Sequence, residues 1–311
     1  MNPIEKLLLV MMKQRLLGLF ALEESLAKQP QAILALADAP ERRWPDLQKF
    51  TSGEQIPSQL KTQMAIRKPM LKAGDQVKES ISSLALNPQK GRVTIDQNEL
   101  EALIQLAGNQ GAGLIGFTKL PHELIFKNRA VMFDAVIVLG AQLDQQAVAD
   151  APSQDTYVDS INSYDVLGSA ANQLAEQLRG MGFAAHVSHP LGGLVLYPPL
   201  AAKAGLGKLG RHGLLITPEF GPRQRLAAVF TNISNLPFVD VGYQINESCE
   251  HCGRCQKACP AQAFFDEPIW HSSGRRTSVN EAKCSVQFAK NFSCSVCLRE
   301  CATVNPGGAR R

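Results

Sequence analysis

Apolar positions recur at helical spacing near the start of the chain. The pattern over residues 3–29 predicts a helix, and the apolar run within it, residues 7–20, is interrupted by Lys13 and Arg15. That run is too short and too charged to span a bilayer, so no stable membrane insertion is expected. An amphipathic helix that packs on the body of the protein or on a partner is favoured, and a helix on a membrane surface is the alternative.

The next stretch is polar and is broken repeatedly by proline. Residues 30–95 contain prolines at positions 30, 40, 45, 57, 69 and 88. Because proline lacks a backbone donor and ends helices, the pattern predicts short helices and loops. Together with the preceding helix, these residues are expected to form a mostly helical N-terminal extension over residues 1–95.

Helix and strand patterns alternate from residue 98 onwards. Helical spacing predicts helices at 99–109 and 163–181, and a helix-like run occupies 200–204. Strand patterns lie at 111–118, 130–139, 183–187, 213–217 and 225–231, and PEFGPRQ predicts a turn between the last two. This alternation predicts an α/β domain, placed over residues 96–245.

Composition adds the outline of a globular protein. The chain of 311 residues is 45% hydrophobic and 19% charged, with enough apolar residues for a sizeable core. A net charge of +4 and no basic block with interleaved aromatic residues give no independent argument for nucleic-acid binding. No convincing signal-peptide cleavage site follows the first apolar run, so a cytoplasmic location is expected.

All 8 cysteines lie in the last fifth of the chain. A disulfide-stapled protein would not leave the preceding residues without a cysteine, and in a reducing compartment clustered cysteines are more often metal ligands. Residues 249–260 follow the spacing C-x2-C-x2-C-x3-C-P of bacterial two-cluster ferredoxins. The pattern predicts two [4Fe–4S] clusters in a ferredoxin-like domain over residues 246–311.

The spacing also assigns each thiol to a cluster. In this pattern three closely spaced cysteines bind one cluster, while the fourth points away and binds the other. The first cluster is therefore expected at Cys249, Cys252, Cys255 and Cys301, and the second at Cys259, Cys284, Cys294 and Cys297. Two structural zinc sites are the alternative, but zinc ribbons favour paired C-x2-C units over a triple run.

A glycine-rich segment precedes the cysteines. Gly205, Gly207 and Gly210 match the G-x-G-x-x-G spacing of dinucleotide-binding loops. That loop should follow a strand and open a helix, whereas here it follows a helix-like run and precedes a strand. Nicotinamide binding is therefore not favoured. The glycines instead indicate a tight turn, or a close approach of the backbone to something large.

The glycine segment and the cysteines together resemble a known superfamily. The segment AGLGKLGRHGLLITPEFGPRQRLAAVFTN, with the stretched interval between Cys284 and Cys294, resembles the corrinoid-dependent iron–sulfur reductases, which include epoxyqueuosine reductases and reductive dehalogenases. The resemblance covers about residues 98–305. It implies an α+β fold, in which a nitroreductase-like α/β domain holds cobalamin and a two-cluster ferredoxin-like domain docks against it.

The resemblance also implies roles for single residues. Those expected to lie against the corrinoid are Gly205, Gly207, Gly210, Arg211 and His212. Dehalogenases use a tyrosine with basic helpers as their proton donor, which makes Tyr164 and Tyr197 the catalytic candidates. Epoxyqueuosine reductases place an acidic residue upstream of the AGLG element, and here Leu191 takes that position.

Two functions remain open at this point. The first is a reductase that takes electrons from a donor such as a flavodoxin or a ferredoxin. It passes them through both clusters to a corrinoid, which reduces a small or tRNA-linked organic substrate. The alternative is an electron-transfer or accessory protein of the ferredoxin type that lacks corrinoid chemistry, and Leu191 at the acid position motivates it.

Overall fold

The computed structural model describes residues 18–41 and 60–303. The helix predicted over residues 3–29 is present from residue 18 to residue 25 and continues as the 3-10 turn Leu26–Lys28. Its earlier part lies outside the described residues. In the described ranges, no helix is both long and apolar enough to cross a membrane.

The remaining elements are named in chain order. The helices are α1 (Leu60–Ser82), α2 (Gln97–Asn109), α3 (Gln145–Ala149), α4 (Gln154–Gly180), α5 (Tyr197–Lys203), α6 (Ser248–Cys252), α7 (Arg254–Lys257), α8 (Glu281–Lys290) and α9 (Val296–Arg299). The strands are β1 (Ile33–Leu34), β2 (Leu114–Lys119), β3 (Ala130–Val131), β4 (Ala135–Gln142), β5 (Ala185–Ser188), β6 (Lys208–Leu209), β7 (Leu215–Ile216), β8 (Gln224–Thr231), β9 (Phe264–Trp270) and β10 (Arg276–Val279). The predicted strands are thus present, with shifted ends.

Four strands form one antiparallel sheet in the order β2–β4–β8–β5. Strand β4 is buried on both faces. Ile137 and Leu139 pack in a core with α2 and α4, whereas Val136 and Val138 pack in a second core with α5 and the N-terminal residues. A strand covered on both faces can be apolar at every position, which explains why the run AVIVL does not alternate.

Helix α4 begins at Gln154, well before the predicted start at residue 163. The side chain of Ser153 caps it by accepting a hydrogen bond from the backbone N–H of Thr156 at 3.1 Å. Its first turns carry polar residues such as Ser160 and Ser163, which obscured the helical pattern. Those side chains are nevertheless buried; Ser160 lines the cleft described below, and Ser163 accepts a hydrogen bond from Arg225 of that cleft.

The prediction of short helices and loops over residues 30–95 is wrong for α1, a helix of 23 residues that runs through Pro69. An interior proline costs about 3 kcal/mol or more. Packing against α4 offsets that cost, and the side chain of Gln76 donates to the Asp165 carboxylate at 2.9 Å. Helix α1, which precedes position 95, therefore packs directly against α4, which follows it.

The cysteine-bearing segment is held firmly against the sheet domain. It consists of the short helices α6 to α9 and the antiparallel hairpin β9–β10. Leu298 packs with Leu143 and Val148, and the guanidinium of Arg299 donates to the carbonyl oxygen of Ala151. These contacts leave a cleft between the two parts.

Candidate metal centres and adjoining cleft

The cysteines converge in two groups of four. A small void of about 30 Å³ is bordered by Cys249, Cys252, Cys255 and Cys301, which we call the first group. The wall of the cleft contains Cys259, Cys284, Cys294 and Cys297, the second group. This is the grouping that the crossing pattern predicts, because the fourth cysteine of each run lies with the three of the other.

Two unusual backbone segments shape these groups. Gly253 adopts a left-handed conformation with φ 59° and turns the chain between α6 and α7. The residues from Phe292 to Ser295 have φ between 40° and 62°, although none of them is glycine. Left-handed conformations cost such residues about 1–2 kcal/mol each. Strain of this kind persists where other interactions fix the backbone, and ligation of Cys294 would supply one.

Burial makes the free thiols poor thiolates. Cys255 is only 8% exposed, and burial raises its pKa to about 11. Burial likewise raises the pKa of Cys297. Thiolates are the ligands of iron–sulfur clusters, and bound iron compensates the charge that the buried site disfavours. Two sets of four thiols fit two [4Fe–4S] clusters in donor type and number.

The glycine-rich segment forms the small hairpin β6–β7 beside the first group. The backbone N–H of Leu209 donates to the carbonyl of Gln244 at 2.8 Å, and the N–H of Asn246 donates to the carbonyl of Leu209 at 2.9 Å. Arg211 borders the void of the first group, and its backbone N–H opposes the rise that burial causes in the pKa of the Cys249 thiol. The segment therefore positions the first cysteine loop.

The close approach indicated by the glycines is to the protein itself. A Cβ at Gly207 would collide with the backbone carbonyl of Ile216 in β7, and a Cβ at Gly210 would lie 2.5 Å from the His212 ring. Gly205 and Gly207 border a separate groove of about 620 Å³. Of the five residues expected at the corrinoid, His212 alone lines the cleft.

Replacing Gly207 with alanine is expected to destabilise the protein by about 1–3 kcal/mol, because the added methyl overpacks the hairpin. Gly108 in α2 provides a matched control, since a Cβ there meets no atom within 4 Å. Gly108→Ala should be neutral or stabilising by up to about 1 kcal/mol, as expected in a helix. Thermal unfolding measures both, and an unchanged melting temperature for Gly207→Ala would contradict the overpacking argument.

The cleft lies between α4, α5, β8 and the second cysteine group. Its main cavity has a volume of about 380 Å³. A second cavity of about 380 Å³ adjoins it, and both are bordered by Pro198, His212, Leu214, Val279, Cys284 and Phe288. Among the described residues, the buried polar atoms at the cleft without a hydrogen-bond partner include Nε2 of His212 and Oε1 of Gln224.

Three polar residues of the cleft were not identified from the sequence. Arg225 of β8 donates to Ser160 Oγ at 2.9 Å and to Ser163 Oγ at 3.0 Å. Burial raises the pKa of the Asp159 carboxyl, which also accepts a hydrogen bond from the Asp144 backbone N–H. Asp159, Ser160 and Arg225 all line the main cavity. The spacing of small polar residues along the start of α4 is the signal that could have found this face.

The two candidate tyrosines occupy different places. The ring of Tyr197 lines the cleft, but its hydroxyl lies 2.7 Å from Ser188 Oγ and within 3.0 Å of the carbonyls of Ser188 and His189. Tyr164 lies outside the cleft lining, and the Arg225 guanidinium stacks 4.1 Å from its ring centroid. The structure thus gives neither tyrosine the free hydroxyl near the cleft that a proton donor needs.

Leu191 occupies the position of the family acid as a core residue. It is 3% exposed and packs with Leu19 and Val77. Its backbone N–H donates to Nδ1 of the buried His189 at 3.0 Å. The loop therefore presents an apolar side chain to the protein interior where an acid would be needed.

Comparisons with known proteins agree with these features. Residues 243–265 match the family described as 4Fe-4S binding domain. A tetrachloroethene reductive dehalogenase of Desulfitobacterium hafniense is 33% identical over 189 residues, which is 54% of this chain and 32% of that protein. An epoxyqueuosine reductase of Listeria monocytogenes is 38% identical over 68 residues, 22% of this chain and 17% of that protein.

This chain is a homologue of the reductive dehalogenases and the epoxyqueuosine reductases. The resemblance predicted from the glycine segment and the cysteine pattern is thereby confirmed. The chain spans about a quarter to a third of the length of the dehalogenase relatives it matches. One from Sulfurospirillum multivorans is 31% identical, and the match covers 58% of this chain and 36% of that protein.

Solved structures show the same fold. A reductive dehalogenase matches with a TM-score of 0.64 at 18% identity, covering 90% of this chain and 44% of that one. A catabolic reductive dehalogenase matches with a TM-score of 0.64, also at 18% identity, covering 88% and 43%. The mixed helix and strand fold with its ferredoxin-like region therefore belongs to this structural type.

Proposed function

We propose that this protein is an iron–sulfur oxidoreductase that holds two [4Fe–4S] clusters and passes electrons to a group bound in the cleft. The observation that carries the proposal is the position of the second cysteine group, whose four residues all line the main cavity. A cluster held there would contact a cleft ligand directly. The first group would relay electrons to it, from a donor such as a flavodoxin or a ferredoxin.

The two groups are neighbours, as such a relay requires. The Cys255 thiol of the first group is near enough to the Cys297 thiol of the second to add to the rise in the Cys297 pKa, whose main cause is burial. Helices α7 and α9, which carry these cysteines, pack together. A chain of two adjacent clusters ending at a cavity suits one-electron delivery to a bound acceptor.

A corrinoid is the candidate acceptor. The 18% identical reductive dehalogenase is described in connection with B12-dependent dehalogenation. A corrin is a broad apolar macrocycle with a rim of carboxamides, and the cleft has apolar walls with unpaired polar atoms of Gln224 and Arg276 at its edges. These two side chains would hold carboxamides. When bound, a corrinoid supplies a cobalt centre that takes electrons singly and reacts with a small or tRNA-linked organic substrate.

The volume of the cleft limits how a corrinoid would fit. Sites for drug-sized molecules measure about 300–1,000 Å³. One cavity of about 380 Å³ is at the lower end of that range, so a corrinoid would have to occupy both adjoining cavities. Among the described residues that line the main cavity, Asp159 and Arg225 are the charged groups that could donate a proton to a substrate or fix an anionic one.

An electron-transfer or accessory protein is the second candidate. Two observations favour it: Leu191 is packed in the core where the family acid would stand, and the Tyr197 hydroxyl already bonds the protein. In that case the clusters would pass electrons to a partner protein rather than to a corrinoid. The cleft would then accept a small ligand or part of the partner.

Anaerobic reconstitution separates the two candidates. The full chain is loaded with iron and sulfide, incubated with cobalamin and freed of unbound corrinoid by gel filtration. The corrinoid reductase should retain cobalamin with a base-off spectrum at about one per chain. Replacing Gln224 with leucine and Arg276 with methionine together should reduce retention at least about tenfold. Normal clusters without retained cobalamin would support the accessory role and exclude the corrinoid.

A further inference from the structure

A single histidine ring lies between the two cysteine groups. His212 is 7% exposed, and it borders both the void of the first group and the cleft that contains the second. The preceding residue, Arg211, also borders the void of the first group. The turn after β6 therefore faces the first group, and the imidazole follows directly from it.

The hydrogen bonds of the ring define its tautomer. The backbone N–H of Leu214 donates to Nδ1 of His212 at 3.2 Å, which assigns the ring proton to Nε2. Burial lowers the pKa of this histidine to about 4, so the ring is neutral at neutral pH. The Nε2–H is buried and has no acceptor among the described atoms. A buried donor left unsatisfied costs about 1–3 kcal/mol, so an acceptor is expected in the functional protein.

Gly210 makes the placement of the ring possible. A Cβ at this position would lie 2.5 Å from Cε1 and 2.9 Å from Nδ1 of His212. The backbone N–H of Gly213 closes the turn by donating to the carbonyl of Gly210 at 3.0 Å. Glycine at the third position of the G-x-G-x-x-G segment thus leaves room for the imidazole next to the cysteines.

We propose that His212 donates its Nε2–H to a sulfur of the [4Fe–4S] cluster held by the first group and thereby raises that cluster's reduction potential. The inference rests on the proposed function, because it requires the cluster. On reduction, one electron enters the cluster, its negative charge increases by one and no covalent bond changes. A hydrogen bond to sulfur strengthens with that charge and so favours the reduced form.

The test is a potentiometric titration followed by electron paramagnetic resonance, on the full chain reconstituted with iron and sulfide. In His212→Phe, the ratio of reduced to oxidised first cluster at a fixed potential should fall by up to about tenfold, which equals about 59 mV for a one-electron couple. His212→Gln, which keeps an N–H donor, should recover part of the shift. His271→Phe is the matched control, because that ring bonds Thr277 on the β9–β10 hairpin and should leave both potentials unchanged.

A second variant acts on the same ring without removing it. Gly210→Ala displaces the imidazole and, like His212→Phe, should lower the reduction potential of the cluster held by the first group. If both variants kept their full iron content and the reduction potentials of both clusters were unchanged, the role of His212 would be overturned and the proposed function would stand. A shift confined to the second cluster would overturn the choice of acceptor, and a wild-type chain that binds no iron would overturn the proposed function itself.

Discussion

Cys301→Ser should lose the same cluster as Cys249→Ser, although the two cysteines are 52 residues apart in the sequence (301 − 249). Both belong to the first group, whose four thiols border one void. Each variant should retain about four iron atoms per chain in place of about eight, since each cluster carries four. Iron analysis gives the loss, and electron paramagnetic resonance of the dithionite-reduced protein identifies which signal disappears.

Cys259→Ser and Cys297→Ser should instead lose the other signal. Cys259 directly continues the run that contains Cys255, yet it lines the cleft with the second group. A matched control is Ser285→Ala, next to Cys284 on α8, because its hydroxyl bonds only the helix carbonyl of Ala282 among the described contacts. It should retain both clusters.

The same experiment decides between iron–sulfur clusters and zinc. If Cys259→Ser and Cys249→Ser removed the same signal, the two groups would not form separate centres. Stoichiometric zinc with no acid-labile sulfide in protein purified without oxygen would replace the cluster interpretation by structural zinc sites. Loss of either centre should also lower the melting temperature, because ligation contributes to the folding free energy of the segment that carries the ligands.

The cysteine grouping could be predicted because it depends on local spacing. A triple C-x2-C-x2-C run fits one cluster on one short loop, and the fourth thiol is turned away by the intervening helical turn. The strands were predictable for a similar reason, since unbroken apolar runs such as the one in β4 have few alternatives. Their exact ends differ because the sequence does not show where a neighbouring strand stops.

The site beyond the cysteines depends on contacts between distant residues. Gly207 was expected at a corrinoid, but the atom that requires a glycine is a carbonyl of β7, on the other arm of the same hairpin. Asp159 carries no motif and reaches the cleft only because α4 begins at Gln154. Similarly, Pro69 suggested a helix end, and only packing against α4 shows why α1 continues.

The N-terminal residues contribute a buried ion pair that a sequence pattern does not reveal. Arg129 is 6% exposed and Glu23 is 2% exposed, and the guanidinium Nε lies 3.5 Å from the Glu23 carboxylate. Arg129 also binds the carboxylate of Glu24 at 2.8 Å. A Cβ at Gly192 would collide with the Glu23 carboxylate, so the pair sits against the loop that carries Leu191.

Arg129→Met should destabilise the protein by about 3–5 kcal/mol, because it removes the guanidinium charge that lies beside the buried carboxylate of Glu23. Urea unfolding followed by circular dichroism measures the loss as a lower midpoint. The matched control is Lys127→Met, which removes an exposed ion pair to Glu41, another N-terminal residue. The Lys127 and Glu41 side chains are 55% and 58% exposed, so the expected loss of unfolding free energy is at most about 1 kcal/mol.

The double variant Glu23→Gln/Arg129→Met distinguishes a lost charge partner from lost packing. Removing the carboxylate charge relieves the penalty of the single variant, so the double variant should be more stable than Arg129→Met alone. Because the Glu23 carboxylate packs against Gly192, in the loop that carries Leu191, the destabilised variants should also expose the N-terminal residues and this loop to proteolysis together. An Arg129→Met protein as stable as Lys127→Met would show that the N-terminal segment is not anchored by this pair.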